Sequence, residues 1–139
     1  MSWKSDIKYI QNKVSKSTAI LKRARQVLDN RALHILYCSL VLPYLTYCVE
    51  VWGNNYKTSL QSLVTLQKRA IRYVHKVSYL DHTNLLFLKS KLIKFSDLVV
   101  FQTLQLVFKA KIKLLPINIQ KLFGDGKEYI ISDLHLQNK

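Results

Sequence analysis

Four basic side chains, Lys68, Arg69, Arg72 and Lys76, fall within nine residues of the chain. On a helix, spacings of three and four bring such residues onto one face. The chemistry open to a face of that kind is neutralisation of phosphate charge with release of counterions. Lys22, Arg23 and Arg25 form a second group of the same type. Each of these side chains would also sit comfortably on a solvated helix face, because phosphate contacts are spread over many residues.

Reagents for catalysis are harder to find. The acidic residues are Asp6, Asp29, Glu50, Asp81, Asp97, Asp125, Glu128 and Asp133. No two lie at a spacing that points to a paired metal-binding carboxylate site. His34 and Cys38 are four apart and share a helix face, a pattern that packing explains better than a ligand set. His75, His82 and His135 have no evident partners, and no glycine-rich phosphate loop is present. Cys38 and Cys48 lie ten apart. That is neither a zinc-ligand gap nor a small secreted disulfide framework, so two buried thiols in a reducing compartment are expected. The residues describe a binding module with no metal or other cofactor, not an enzyme.

The totals point the same way. The chain has 139 residues, 49% of them hydrophobic, enough for one domain with a real core. Only 3 Gly and 2 Pro are available for turns, which favours helices. Lys and Arg number 22 against 8 acidic residues, a net charge of +14. An excess of this size repels itself in a compact state, and a polyanion is its commonest compensation. Nucleic acid comes first and an acidic membrane surface second. The N-terminal stretch has no apolar core of a secretory signal, so an intracellular location, cytoplasm or nucleus, is expected.

The elements that must position these residues follow from apolar periodicity. Residues 5–28 read as an amphipathic helix with Ile7, Ile10, Val14, Leu21, Ala24 and Leu28 on its stripe, interrupted by Ser17. A second helix starts near Asn30 as N-cap, with a kink or break at Leu42-Pro43. Trp52-Gly53-Asn54-Asn55 reads as a loop. Thr58 and Gln61 fit a capping box for a third helix, running to about Val77 with Leu60, Leu63, Val64, Ala70, Ile71 and Val74 on one face. A short helix follows at residues 85–91. A further one, 97–115, carries Leu98, Phe101, Leu104, Gln105, Phe108, Ile112 and Leu115. Pro116 ends it, and from Asp125 onward the pattern fades.

From Ala32 to Val49, 18 residues carry no formal charge, about the length of a membrane span. Pro43, His34, Ser39, Thr46 and three tyrosines argue against lipid, where each polar group would need a partner. Three amphipathic helices with stripes to cover argue for a central, all-round apolar helix in a protein core. A core is the expectation, and a membrane is not an expected partner.

The wording of the chain also carries a resemblance. "SWKSDIKYIQNKVSKSTAILKRARQVL", "LHILYCSLVLPYLTYCVEVWGN", "LVTLQKRAIRYV" and "DHTNLLFLKSKLIKFSDL" follow one another in order. Together, over residues 3–123, they resemble the region after the palm in reverse transcriptases of non-LTR (LINE-type, jockey-like) retrotransposons. That resemblance implies the polymerase thumb, which packs beside the palm and grips the template–primer duplex by its backbone. The family's catalytic aspartates belong to a Tyr-x-Asp-Asp motif, absent from this sequence. The tail "GDGKEYIISDLHLQNK" departs from the family's continuation. The resemblance therefore implies a truncated copy without polymerase activity. "VSKSTAILKRARQVL" also resembles a short N-terminal segment of an AlkB-type tRNA-modifying homologue. Dioxygenase activity would need His-x-Asp plus a distant His, and no His-x-Asp occurs. Methyl transfer has no glycine-rich loop to support it.

The expected fold is all-α: a thumb-like bundle of about four main helices over residues 1–124, with the central apolar helix kinked at Pro43 and a frayed tail over 125–139. The expected core is Ile10, Val14, Leu21, Leu36, Leu40, Leu45, Leu63, Ile71, Val74, Phe101, Leu104 and Phe108. The expected partner is the backbone of an RNA–DNA or DNA duplex, bound without sequence preference, with a palm domain in trans as a second partner. The alternative is a structural remnant or protein-interaction module, with Tyr37, Tyr44, Tyr47 and Trp52 as its adhesive patch.

Overall fold

The computed structural model describes residues 3–54 and 57–123. The expected frayed tail, with Asp125, Glu128, Asp133 and His135, lies outside the described residues. The protein is all-α, 76% helical, with no strand among the described residues. The described residues form two compact units, one ending at Gln102 and the other starting at Thr103.

In the first unit, α1 (Lys4–Ala24) buries Ile7, Ile10, Val14, Ser17, Thr18 and Leu21. These six recur at three- and four-residue spacings and form one helical edge. Two are hydroxyl residues, and Thr18 satisfies its own by donating to the Val14 carbonyl at 2.7 Å. The helix stops at Ala24, four residues before the end the periodicity predicts, and runs on as a turn to a half-buried Leu28. α2 (Asn30–Leu40) is capped by Asp29, whose carboxylate accepts from the Ala32 N–H at 2.9 Å. Asp29 is extended and Asn30 already helical, so the cap falls one residue earlier than expected.

The apolar run is broken at Val41 and continues as α3 (Leu42–Thr46), with Pro43 in its first turn. Pro43 has no N–H to give to the preceding turn. Residues 30–46 accordingly bend by 38°. Every fourth residue along the run, Leu33, Tyr37, Val41, Leu45 and Val49, is wholly buried. Ile35 and Tyr47 are exposed, so the run is covered along one edge and not all round. No helix of the described residues is long and apolar enough to cross a membrane.

Cys48 takes a left-handed conformation (φ 48°) and turns the chain into α4 (Val49–Trp52). It is exposed, not buried as expected, whereas Cys38 is half-buried. Trp52 donates to the Tyr47 carbonyl at 2.9 Å and stacks on Phe95 with ring centroids 5.8 Å apart. Gly53 follows where a Cβ would meet the Val49 carbonyl and come within 3.0 Å of Val99.

α5 (Lys57–His75) starts before Thr58, which therefore lies inside the first turn and is not the N-cap. Its buried edge is Leu60, Leu63, Gln67, Ala70, Ile71 and Val74. The sequence reading missed Gln67, which is 1% exposed. Its Nε2 donates to the Tyr37 hydroxyl and the Ile93 carbonyl, both at 3.0 Å, and its Oε1 accepts from the Phe95 N–H at 2.8 Å. One side chain thus ties α5 to α2 and to the start of α7. Gln11 Nε2 donates to the Ser59 carbonyl at 3.1 Å, and Arg25 lies over the Tyr73 ring. Both pairs are separated by the same stretch of helix, so α1 and α5 run parallel.

α6 (Asn84–Ser90) buries Leu86 and Phe87. α7 (Phe95–Lys111) buries Phe95, Leu98 and Val99 in its first turns and Ala110 near its end. The expected core residues Phe101, Leu104 and Phe108 are 49%, 53% and 62% exposed, and Leu36 and Leu40 are half-buried. α7 is apolar on more than one side, so period alone does not choose its buried edge. In the second unit, α8 (Ile117–Gln120) is held by Gln120, which donates to the Ala110 carbonyl at 2.6 Å, and a short 3-10 turn (Lys121–Phe123) follows.

Three helices end alike. Lys76, Lys91 and Lys113 have φ of 56°, 54° and 56°. At each, the next residue's N–H reaches back five residues: Val77 to Arg72, Leu92 to Phe87 and Leu114 to Lys109. This is the Schellman ending, usually made by glycine. A chain with 3 Gly makes it with lysine.

Candidate nucleic-acid interface

The basic residues of α5 occupy the side away from its buried edge. At about 100° per residue, positions 68, 69, 72 and 76 fall within an arc of about 100°, roughly opposite Leu63, Gln67, Ile71 and Val74. Lys68 is exposed and Arg69 and Arg72 are half-buried. Lys76 is exposed and lies just past the helix end, in the left-handed position of the Schellman ending.

The structure gathers some of the predicted residues and separates others. Arg25 follows α1 on its core-facing side and reaches α5. There Arg25, Arg69 and Arg72 line one recess of about 300 Å³ with Tyr73, Val77, Ser78 and Tyr79. The Arg25 guanidinium lies 5.4 Å from the Tyr73 ring centre, and that of Arg72 lies 5.5 Å from Tyr79. Arg72 Nε also donates to the Asp81 carbonyl oxygen at 3.0 Å. The Asp81 carboxylate does not pair with Arg72 but accepts at 2.8 Å from the N–H of Ser78, which itself lines the recess. Lys22 is exposed on the flank of α1, and Arg23 points about 200° away from buried Leu21. Neither joins the recess. Among the described residues, none of these basic groups pairs with a carboxylate.

Tyr73 and Tyr79 were not anticipated as site residues. The only sequence signal for Tyr73 was an aromatic beside Arg72, and for Tyr79 its place in the turn after α5.

The other chemistry-bearing groups assemble differently. His34 and Cys38 do meet, Nδ1 to Sγ at 3.9 Å. His34 Nε2 contacts the Ser90 carbonyl at 3.2 Å, and His75 Nε2 contacts the Ser90 hydroxyl. Burial pushes the Cys38 thiol above its ordinary range. Burial, with Lys89 and His34 nearby, holds His75 below its ordinary value, against an opposing backbone hydrogen bond at Leu86. No group of three or more His, Cys, Asp or Glu among the described residues could hold a metal ion. His82 is exposed.

An aromatic groove lies elsewhere in the first unit. Trp3, Tyr9, Tyr44, Tyr47 and Trp52 line a cavity of about 670 Å³ with Pro43 and Val51. Tyr37 is not part of it: it is wholly buried against Gln67.

Comparison with protein-family models, with curated proteins and with solved structures finds no match to this chain.

Proposed function

We propose that the chain is a non-catalytic nucleic-acid-binding module that holds the backbone of a template–primer duplex without reading its sequence, as a thumb-like fragment of a LINE-type reverse transcriptase. The observation that carries this reading is the basic arc of α5, free of carboxylate partners and extended by Arg25. Unpaired cations arrayed along one helix suit a repeating phosphate backbone, and arginine's planar fork suits its oxygens. Lys68, Arg69, Arg72 and Lys76 make the main contacts, with Arg25 beside them and Lys22 and Arg23 supplying general attraction. The ordered resemblance over residues 3–123 supplies the thumb.

Fluorescence anisotropy with a labelled RNA–DNA duplex tests it. About four phosphate contacts predict a slope near −4 in log affinity against log salt. Changing Lys68, Arg69, Arg72 and Lys76 together to Glu should abolish binding. Binding that ignores salt, or survives the fourfold change, refutes the reading.

The aromatic groove favours a second reading, a protein-interaction module whose partner is a palm domain in trans. Exposed tyrosines and a tryptophan around an apolar cavity are typical of protein-binding surfaces. Co-elution with a palm domain that is lost on Tyr47→Asp would support it, and no co-elution would remove it.

A further inference from the structure

We infer that the Arg25–Arg69–Arg72 recess is a subsite for a terminal phosphomonoester of a nucleic-acid strand, with Tyr79 as the wall on which the terminal base stacks. This rests on the proposed backbone binding and adds a specific end to it.

The first ground is charge. Three guanidiniums line a single recess of about 300 Å³ without a carboxylate among them. The recess stands at the C-terminal ends of two parallel helices, α1 and α5. Each end contributes about half a negative charge. The Asp81 carboxylate, held by the N–H of recess-lining Ser78, adds one further negative charge, so about one positive charge remains uncompensated. A phosphodiester of the strand interior carries one negative charge, whereas a phosphomonoester carries about 1.5 to 2 at neutral pH and offers three oxygens. The net charge calls for a phosphate anion, and the three oxygens of a terminal group match three guanidiniums.

The second ground is how the arginines are held. Arg72 spends its Nε–H on the Asp81 carbonyl, which leaves both terminal amino groups unspent. Arg25 is placed by Tyr73 through a ring-face contact that consumes no N–H. Among the described residues, the Arg69 side chain makes no hydrogen bond. The forks of Arg25 and Arg72 are thus positioned while their donors stay available, the condition for pre-organised anion binding, and Arg69 adds a third free fork.

The third ground is shape. An internal phosphate is flanked by sugar on both sides and rides on a surface, whereas a terminal one can enter a recess. At the rim, Tyr79 is 66% exposed. Arg72 covers one face of its ring, leaving the other for a base. Base–aromatic stacking tolerates any base, consistent with binding that ignores sequence.

The test uses the full chain and one RNA–DNA duplex with a short unpaired end, phosphorylated or not at that end. Phosphorylation should raise affinity about tenfold or more, as a charge-assisted, multidentate contact would. Arg25→Gln and Arg69→Gln should each reduce that ratio toward one, and Tyr79→Ala should weaken binding of the phosphorylated unpaired end. Circular dichroism checks that the variants remain helical. A second measurement needs no variant: arginine side-chain NMR of the unaltered protein, titrated with adenosine 5′-monophosphate or with adenosine. Shifts at Arg25, Arg69 and Arg72 with the phosphate and not with the nucleoside support the subsite. Equal affinity for both duplexes, with salt-dependent binding intact, overturns the subsite and leaves the backbone reading. Nucleotide-specific shifts without any duplex binding overturn the backbone reading and leave the subsite.

Discussion

Gln67→Met tests the internal logic of the fold most directly. Methionine keeps the length and much of the volume of the side chain but deletes its three hydrogen bonds. The Phe95 N–H then loses its acceptor in a place where Phe95 is buried, at about 1–3 kcal/mol. The Tyr37 hydroxyl, also wholly buried, loses its donor. The Ile93 carbonyl is half-buried and can be hydrated, so it adds less. The sum is about 2–4 kcal/mol, after allowing some return from the apolar replacement. With a urea dependence of about 1–3 kcal/mol per molar, the midpoint should fall by about 1–2 M. Tryptophan fluorescence is a suitable readout, because Trp52 stacks on Phe95 itself. Combining Gln67→Met with Tyr37→Phe should cost less than the two changes separately, with a coupling of about 0.5–3 kcal/mol. A stability within about 0.5 kcal/mol of the parent, or strict additivity, would refute the idea that one buried amide locks α5 to α2 and α7.

Three further outcomes are expected. Burial pushes Tyr37 up to about 12 from 10.0, against a smaller lowering by its Gln67 hydrogen bond and with a small rise from Cys38. The neutral phenol is the folded form, so its contribution is complete below pH 10 and is lost as pH climbs toward 12; urea melts across that range should show a slope that Tyr37→Phe reduces. His75 is held below 6.5, mainly by burial, so the folded state prefers it neutral. That contribution is present above pH 6.5 and lost as pH falls below it; His75→Gln should flatten this acid slope, and an unchanged slope would exclude His75 as its source. Lys91→Gly removes a side chain from a left-handed position, and thermal unfolding should show a gain of about 1 kcal/mol, with a loss counting against the strain argument.

Much of this architecture is written locally. Apolar residues every three or four positions place α1 and α5 without reference to anything distant. The buried residues Ile10, Val14, Leu21, Leu45, Leu63, Ile71 and Val74 are therefore legible in the sequence. The bend follows from one proline without an N–H, and the basic arc of α5 follows from the angle per residue. α7 marks the limit. It is apolar on several sides, so its period left the choice of buried edge open, and packing chose Phe95, Leu98 and Val99.

Other features depend on partners far away in the chain. Gln67 is polar and gives no sign of burial, because its three partners come from α2 and from the segment entering α7. Cys48 reads as one more apolar position, yet a left-handed turn puts it at the surface. Lys22, Arg23 and Arg25 look equivalent in sequence. Only the parallel packing of α1 on α5, with Gln11 at Ser59 and Arg25 at Tyr73, selects Arg25 to join Arg69 and Arg72. The sequence alone determined that this protein would be helical and carry unpaired positive charge. The tertiary structure decided which three arginines share one recess, because that depends on helix direction and rotation, which no local pattern encodes.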